Sequence, residues 1–181
     1  MRALLKQTSN GVTSSFRVDG KCNVTVHPLS AEFDNGYIVT QSIDPRTCDI
    51  RNSDGVRIGY LRKEIALFAS TRYSMNIVGT EFMAVSIGMW KKGNYWPIYA
   101  HGVQVALIHK NTVVSDNLDE YELYALSDKD MDAAILLAVF IDMREYRNFA
   151  QYTRRKVSVN LSWTLSRKVR KSLDLGFIDR C

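Results

Sequence analysis

The feature that most restricts the fold is a run of nine consecutive apolar residues, 133–141, after about 130 residues with strand-like patterning. Ser127, Asp128 and Asp130 offer helix-capping side chains before it, and residues 131–149 contain no Gly or Pro. The run is therefore predicted to be part of a helix at about residues 130–149, with apolar side chains all around residues 133–141.

A helix that is apolar on every side must be surrounded by protein or by lipid. Nine helical residues span about 13 Å at ~1.5 Å per residue, whereas the hydrocarbon core of a bilayer is ~30 Å thick. We therefore predict a mainly β fold in which a closed barrel encloses this helix, because closure also removes exposed sheet edges.

The strand-like region is divided by turns that contain glycine. Asp19-Gly20 separates two short strand-like runs, and Gly55, Gly79 and Gly102 occupy comparable positions. Glycine supplies the positive φ that tight hairpin turns need. The pattern predicts successive antiparallel hairpins.

One strand-like segment occurs twice in the sequence. The second copy begins 47 residues after the first, and the two segments read GVRIGYLRK from Gly55 and GVQVALIHK from Gly102. Each copy ends in a lysine, Lys63 or Lys110, and a second strand-like run follows each, with Tyr73 and Tyr121 at matching positions. The repeating unit is strand, loop, strand; the alternative is that short strands resemble one another by chance.

The charge is concentrated near the C-terminus. Residues 144–171 contain nine Lys or Arg and one acid, a net charge of +8, and the remaining residues carry −3. Within this part, apolar residues at 157, 159, 161, 163 and 165 alternate with polar ones, which is the period of a strand. We divide the chain into a barrel domain at 1–150 and a basic C-terminal extension at 151–181, with one strand at 157–165.

The end of the predicted barrel resembles a known family. Residues 105–142 read VALIHKNTVVSDNLDEYELYALSDKDMDAAILLAVFID. They are similar to the C-terminal end of the LURP-one-related (LOR) family of the tubby C-terminal-like superfamily, which also contains the phospholipid scramblases. GVRIGYLRKEIALFASTRYSMNI looks like an earlier hairpin of the same fold, and the resemblance covers roughly residues 37–147.

The resemblance implies a closed barrel of about 12 antiparallel strands around a central hydrophobic helix. It brings no active site. Members of the superfamily are associated with binding of phosphoinositides or membrane surfaces and with lipid scrambling. About 30 residues of this chain continue past the helix, where the family's domain normally ends.

The sequence contains none of the common catalytic motifs. It has no Gly-x-Ser-x-Gly, phosphate loop, Gly-x-Gly-x-x-Gly or Cys-x-x-Cys. The three cysteines and three histidines lack metal-ligand spacing, and reduced thiols are expected. We therefore expect a non-catalytic protein without a cofactor or metal, located in the cytoplasm and peripherally at a membrane.

The expected function is binding of anionic phospholipid or phosphoinositide at a membrane surface. One alternative is a protein-interaction or homodimerisation module that uses residues 157–165, and a second is nucleic-acid binding through the basic extension, ranked lower because the resemblance points to lipids. The lysines that end the two repeats are included as weaker candidates. The candidate anion-binding residues are Arg154, Arg155, Lys156, Arg167, Lys168, Arg170, Lys171, Lys63 and Lys110.

Overall fold

A computed structural model describes most of the chain, namely residues 1–9, 11–64, 70–90, 92–111, 113–115, 118–146, 157–159, 164 and 166–181. Fifteen strands, two α-helices, a π-helical turn and a 3₁₀ helix occur within these residues. The elements are β1 (Arg2–Ser9), β2 (Ser14–Val18), β3 (Cys22–Val26), β4 (Ser30–Phe33), β5 (Ile38–Gln41), β6 (Thr47–Arg51), β7 (Arg57–Glu64), β8 (Arg72–Ile77), β9 (Thr80–Val85), β10 (Ile87–Met89), β11 (Gly93–Ala100), β12 (Val103–Lys110), β13 (Val113–Ser115), β14 (Glu120–Ala125), α1 (Asp128–Ile141), the π-helical turn (Asp142–Tyr146), β15 (Val157–Val159), α2 (Arg167–Lys171) and the 3₁₀ helix (Leu175–Arg180).

Twelve of the strands form a closed antiparallel barrel. Their order is β11-β12-β14-β1-β2-β3-β4-β5-β6-β7-β8-β9. Pairing of β9 with β11, in which Ala84 lies opposite Ile98, closes the sheet. Strand β10 is an additional strand that pairs with the start of β11. The prediction of a mainly β, closed barrel of about 12 antiparallel strands is confirmed.

Side-chain alternation decides which residues line the barrel interior. In β3, Cys22, Val24 and Val26 are buried, whereas Asn23 and Thr25 between them are not. The inward residues of all twelve barrel strands belong to one hydrophobic cluster. The period of two in the sequence thus becomes an apolar inner face and a more polar outer face.

Helix α1 packs against the barrel. The Ser127 hydroxyl caps its first turn by accepting a hydrogen bond from the Asp130 amide. Met131 and every residue of 133–141 are at most 2% exposed, and these residues belong to the same cluster as the inward residues of the strands. The helix begins two residues before the predicted start, and its regular part ends at Ile141; a π-helical turn continues to Tyr146, and residues 147–149 lie outside the described residues.

The loops of the barrel fall into two sets. Because β14 runs antiparallel to β1 and leads directly into α1, the helix ends at the same end of the barrel as the β1–β2, β3–β4 and β5–β6 loops. We call this the exit end. Contacts from Arg144, just past the helix, to Gln41 and Cys48 agree with this placement.

The C-terminal segment packs against the outside of the barrel. Phe177 is fully buried and forms a second cluster, the outer cluster, with Ile87, Tyr95, Leu107 and Tyr124. This packing covers the outer face of β11, whose residues are therefore almost all buried on both faces. Separately, β15 pairs antiparallel with β13 in a two-stranded sheet. Residues 160–163 and 165 of the predicted strand lie outside the described residues.

Among the described residues, no helix has the length and apolar composition needed to cross a membrane.

Candidate functional site

The two copies of the sequence repeat meet the end of helix α1 in the same way. Lys63 lies directly opposite Tyr73 in the β7–β8 ladder, and Lys110 lies directly opposite Tyr121 in the β12–β14 ladder. Both Lys–Tyr pairs are at the exit end. The repeat in the sequence is therefore a repeat of structure, with two equivalent polar pairs inside one end of the barrel.

The first pair contacts Glu145 in the π-helical turn. The Lys63 ammonium lies 2.5 Å from Glu145 Oε1, and the Tyr73 hydroxyl donates a hydrogen bond to the same oxygen at 2.9 Å. The Lys63 side chain is only 22% exposed. Its charge is therefore already matched within the molecule.

The second pair is more deeply buried. Lys110 Nζ lies 2.7 Å from Asp119 Oδ1, and the lysine side chain is 1% exposed. The Tyr121 hydroxyl donates to Asp142 Oδ1 at 3.0 Å. Two hydrogen bonds join Asp119 to Gln7 of β1, one in each direction, at 2.8 Å and 2.9 Å. A buried cluster of one lysine, two aspartates and one tyrosine results, which we call the Lys110 cluster.

The Lys110 cluster holds the Lys110 ammonium and the Asp142 carboxyl group away from water, whereas the Asp119 side chain is 15% exposed. Burial, and next the charge of Asp119, raise the pKa of Asp142 to about 7. Burial also lowers the pKa of Lys110 from its ordinary value, although Asp119 opposes this effect. A protonated Asp142 adds no charge beside the Lys110–Asp119 ion pair. The arrangement can therefore take up and release one proton near neutral pH.

The Lys110 cluster and the Lys63 pair also stabilise the end of α1. The last turn of this helix contains no basic residue of its own. Cations near a helix C-terminus interact favourably with its dipole. Here Lys63 contacts Glu145, and the charge of Lys110 interacts with Asp142, both of which follow Ile141. The two lysines that end the sequence repeats thus have a clear structural role.

Four of the predicted anion-binding residues lie on α2. Arg167, Lys168 and Lys171 are exposed. Arg170 is half-buried, and its guanidinium donates to the Thr164 carbonyl. The other three arm residues, Arg154, Arg155 and Lys156, lie outside the described residues.

Contacts on both sides of α2 fix it to the barrel. Val169 and Leu173 pack against the outer cluster. Before the helix, the Thr164 amide donates to the Gly88 carbonyl at 3.0 Å. After it, the Tyr99 hydroxyl donates to the Ser172 carbonyl at 2.8 Å. The basic residues of α2 therefore project from a structured element on the outer wall.

Within the described residues, the exposed cations of α2 make no ion pair. No carboxylate of the described residues lies within 4.0 Å of Arg167, Lys168 or Lys171. By contrast, many other cations contact a carboxylate within the chain. These are Arg2, Lys6, Arg17, Lys21, Arg51, Arg57, Lys63, Lys110 and Arg180.

Two adjoining cavities lie between α2 and the barrel. The smaller has a volume of about 240 Å³, and Ser70, Arg72 and Lys168 are among its lining residues. The larger, of about 590 Å³, is lined by apolar side chains such as Met83 together with carboxylates such as Glu81. Val85 and Ser172 line both cavities, so the two are neighbours. Sequence reasoning missed both, because no motif links residues 70–85 with residues 168–172.

The histidines and cysteines have structural surroundings. His109 stacks on the Tyr95 ring, with ring centres 4.4 Å apart, and contacts Glu122 and the Lys92 carbonyl. Burial raises the pKa of the Cys22 thiol to about 11, which disfavours the reactive thiolate. In the part of the chain that the structure describes, no three His, Cys, Asp or Glu side chains are grouped as a metal site.

Comparison of the chain with protein-family models, with curated proteins and with solved structures finds no match. The functional argument therefore depends on the geometry of this molecule.

Proposed function

We propose that this chain is a tubby-like barrel protein of the LOR kind, which acts by binding and attaches peripherally to anionic phospholipid surfaces. The twelve-stranded antiparallel barrel and its apolar helix support the family proposal, because they are the elements that the resemblance implies. In this proposal the barrel is the scaffold, and the basic C-terminal segment carries the function.

The proposal places the ligand outside the barrel. Ten residues of α1 share one cluster with the inward residues of all twelve barrel strands. This supports a helix that occupies the barrel interior, as the sequence predicts. A filled interior leaves no room for a lipid inside, so a lipid must be recognised on the outer surface.

The observation that carries the proposal is that Arg167, Lys168 and Lys171 of α2 are exposed and make no ion pair with any described residue. Each Lys or Arg near an anionic membrane contributes about 1 kcal/mol, so Arg167, Lys168 and Lys171 together supply about 3 kcal/mol. That alone corresponds to binding weaker than about 1 mM. All seven arm cations would supply about 7 kcal/mol, which is enough for reversible attachment in the micromolar range. The proposal therefore needs residues 154–156 as well as α2.

Trp90 is an exposed aromatic residue that supports a membrane-binding surface near α2. It is 54% exposed and directly follows β10, the strand that Thr164 contacts just before α2. Tryptophan is favoured at the interface between headgroups and acyl chains. Lys63 and Lys110 have no part in the proposal, because Glu145 and Asp119 already match their charges.

The test is co-sedimentation of the full chain with vesicles of neutral lipid alone or of neutral lipid mixed with phosphatidylserine. Binding is expected to rise with phosphatidylserine content and to fall at high salt, since salt screens exposed charges. The variant Arg167→Gln/Lys168→Gln/Lys171→Gln is expected to bind about 100-fold more weakly, which corresponds to the loss of about 3 kcal/mol. A control with Gln at Lys6, Arg17 and Arg57 loses the same charge from the barrel and should bind nearly as well as the wild type. Equal binding to neutral vesicles, or equal loss in the two variants, would reject the proposal.

The second candidate function is self-association through β15. This strand pairs with β13 of the same chain, and the resulting two-stranded sheet has two outer edges that another chain could extend. Sizing of the full chain tests this candidate. A dimer that Ser158→Pro converts to a monomer would support it, whereas a monomer in the wild type would exclude it.

The remaining alternative is nucleic-acid binding through the basic extension. Binding of nucleic acid in a gel shift, without binding to vesicles, would favour it over the proposed function.

A further inference from the structure

Four exposed aliphatic side chains lie at the end of the barrel opposite the exit end. They are Val56, Val78, Val103 and Leu126, which are 58%, 67%, 62% and 48% exposed. Each lies in or directly beside one connection: β6–β7, β8–β9, β11–β12 or β14–α1. Because β7 pairs with β8, β9 with β11 and β12 with β14, these connections are neighbours around the barrel. We call this set the entry rim; a contiguous exposed apolar surface is typical of an interaction site.

The sequence repeat accounts for two of the rim residues. Val56 follows Gly55 in the first copy of the repeat, and Val103 follows Gly102 in the second copy. The lysines that end the two copies face partners within the molecule, whereas these valines are exposed. Both copies therefore present an apolar side chain to solvent at the same place in the fold.

Val78 occupies its exposed position at an energetic cost. Its φ is +47°, a backbone conformation that costs an L-residue about 1–2 kcal/mol and is least common for β-branched residues. Its side chain is 67% exposed, so burial within the chain does not offset this cost. Strained residues that persist in folded proteins cluster at functional sites. A contact with a partner would explain a valine in a turn that suits asparagine or glycine better.

The entry rim is acidic, in contrast to the chain as a whole. Segments 52–56, 78–81, 101–103 and 126–132 together contain five carboxylates and one lysine, a net charge of −4, whereas the whole chain carries +5. Asp54 and Glu81 are exposed and make no ion pair with any described residue. The surface that fits the rim is therefore basic as well as partly apolar, and an anionic membrane would be repelled.

We propose that the entry rim binds the α2 face of a second copy of this chain. Four of the five residues of α2 are cations, and the exposed Trp90 lies near the start of this helix. The rim and the α2 face are thus opposite in charge, and each combines charged groups with exposed apolar side chains. Because the two surfaces differ, the contact is heterologous, and each copy can bind one neighbour at its rim and another at α2.

The test is sedimentation velocity of the full chain over a wide concentration range, at low and at high salt. The average mass is expected to rise with concentration and to fall at high salt, which screens the charges. The rim variant Val78→Asn/Val103→Thr should weaken association about tenfold or more, because it removes apolar surface from the contact. It is expected to fold, since asparagine relieves the backbone strain at residue 78. The matched control Leu29→Gln/Ile43→Thr removes two exposed aliphatic side chains from exit-end loops and should associate as the wild type does.

Mixing two variants tests the heterologous geometry. The rim variant retains its α2, and the variant Arg167→Gln/Lys168→Gln/Lys171→Gln retains its rim. At a concentration at which each alone is monomeric, an equimolar mixture should form heterodimers that do not grow further. A mixture that stays monomeric would overturn the proposal. A wild type that stays monomeric up to about 1 mM at low salt would overturn it as well, because this excludes a contact of even ~4 kcal/mol.

Two comparisons separate this interface from the functions proposed above. The inference does not rest on lipid binding, and the rim variant should bind phosphatidylserine vesicles as the wild type does, because its α2 is unchanged. Loss of vesicle binding with retained self-association would reject the proposed function and keep the interface. Association that Ser158→Pro abolishes and the rim variant does not would reject the interface and assign the contact to β15.

Discussion

Replacement of Asp142 by asparagine is expected to remove a pH dependence of stability. Asp142 is 3% exposed and accepts a hydrogen bond from Tyr121. Its pKa is raised from 3.8 to about 7, chiefly by burial. Because the folded protein holds this proton more tightly than the unfolded chain does, the stabilisation is fully present below about pH 3.8 and is lost as the pH rises through about 7.

The magnitude follows from the two pKa values. Between pH 8 and pH 6 protonation of Asp142 should add about 1.4 kcal/mol to the free energy of unfolding. For a chain of this size, that corresponds to a rise in Tm of roughly 3–6 °C. Asparagine keeps an oxygen that can accept the Tyr121 hydrogen bond but cannot ionise. Asp142→Asn should therefore lack this gain and should be more stable than the wild type at pH 8.

The measurement is urea unfolding of wild type and Asp142→Asn at pH 6 and pH 8. Asp19→Asn is the matched control, because it removes the same charge from an exposed position and should retain the wild-type pH dependence. If wild type and Asp142→Asn gain the same stability between pH 8 and pH 6, or if the variant is less stable at pH 8, the account of the Lys110 cluster is wrong.

Three further substitutions test the fold. Lys110→Met leaves Asp119 and Asp142 without their cation and should lower the free energy of unfolding by about 3–5 kcal/mol in urea, whereas an unchanged midpoint would contradict the buried ion pair. Gly59→Ala places a Cβ against the Asn76 carbonyl oxygen and should lower the free energy of unfolding in urea by about 1–3 kcal/mol. Val78→Asn should raise the free energy of unfolding by about 1 kcal/mol, because Val78 has φ +47° in a two-residue hairpin turn that favours asparagine. A Tm below that of the wild type would refute this expectation.

Much of the barrel could be predicted from the turns and the repeat. Hairpins occur at the predicted glycines: Gly20, Gly55, Gly79 and Gly102 all lie in loops and have positive φ. The region before residue 37 contains turn signals that the sequence analysis did not use: Asn10-Gly11 separates the segments that form β1 and β2, and Pro28 separates those that form β3 and β4. Pairing of β1 with β14, which brings together distant parts of the chain, has no local signature in the sequence.

The inward orientation of the two repeat lysines could have been predicted from the alternation of side chains along a strand. Lys63 is two residues from the buried Leu61, and Lys110 is two residues from the buried Ile108, so each lysine points to the inner face. Their acidic partners could not have been predicted. Glu145 follows the helix, and only the packing of α1 brings it next to Lys63. Asp119 directly precedes β14, and the pairing of β14 with β12 brings it next to Lys110.

The C-terminal segment also carried a signal in the sequence. Val169, Leu173 and Phe177 recur every four residues, a spacing typical of a helix, and all three pack into the outer cluster, although only Val169 lies on α2 and Phe177 lies on the 3₁₀ helix. The charged residues between them were interpreted only as an anion-binding surface, so this apolar spacing was not used. The cavities between α2 and the barrel had no such signal, because the barrel residues and the C-terminal residues that line them are far apart in the sequence.

The central proposal is that α1 occupies the barrel interior, so that ligands bind outside it. Native-state hydrogen exchange of the α1 backbone amides tests this most directly. The account predicts that the amides of residues 135–141 exchange only through global unfolding, as slowly as the most protected amides of β12 and β14. Exchange of these helix amides through a local opening, clearly faster than that of the two strands, would contradict it.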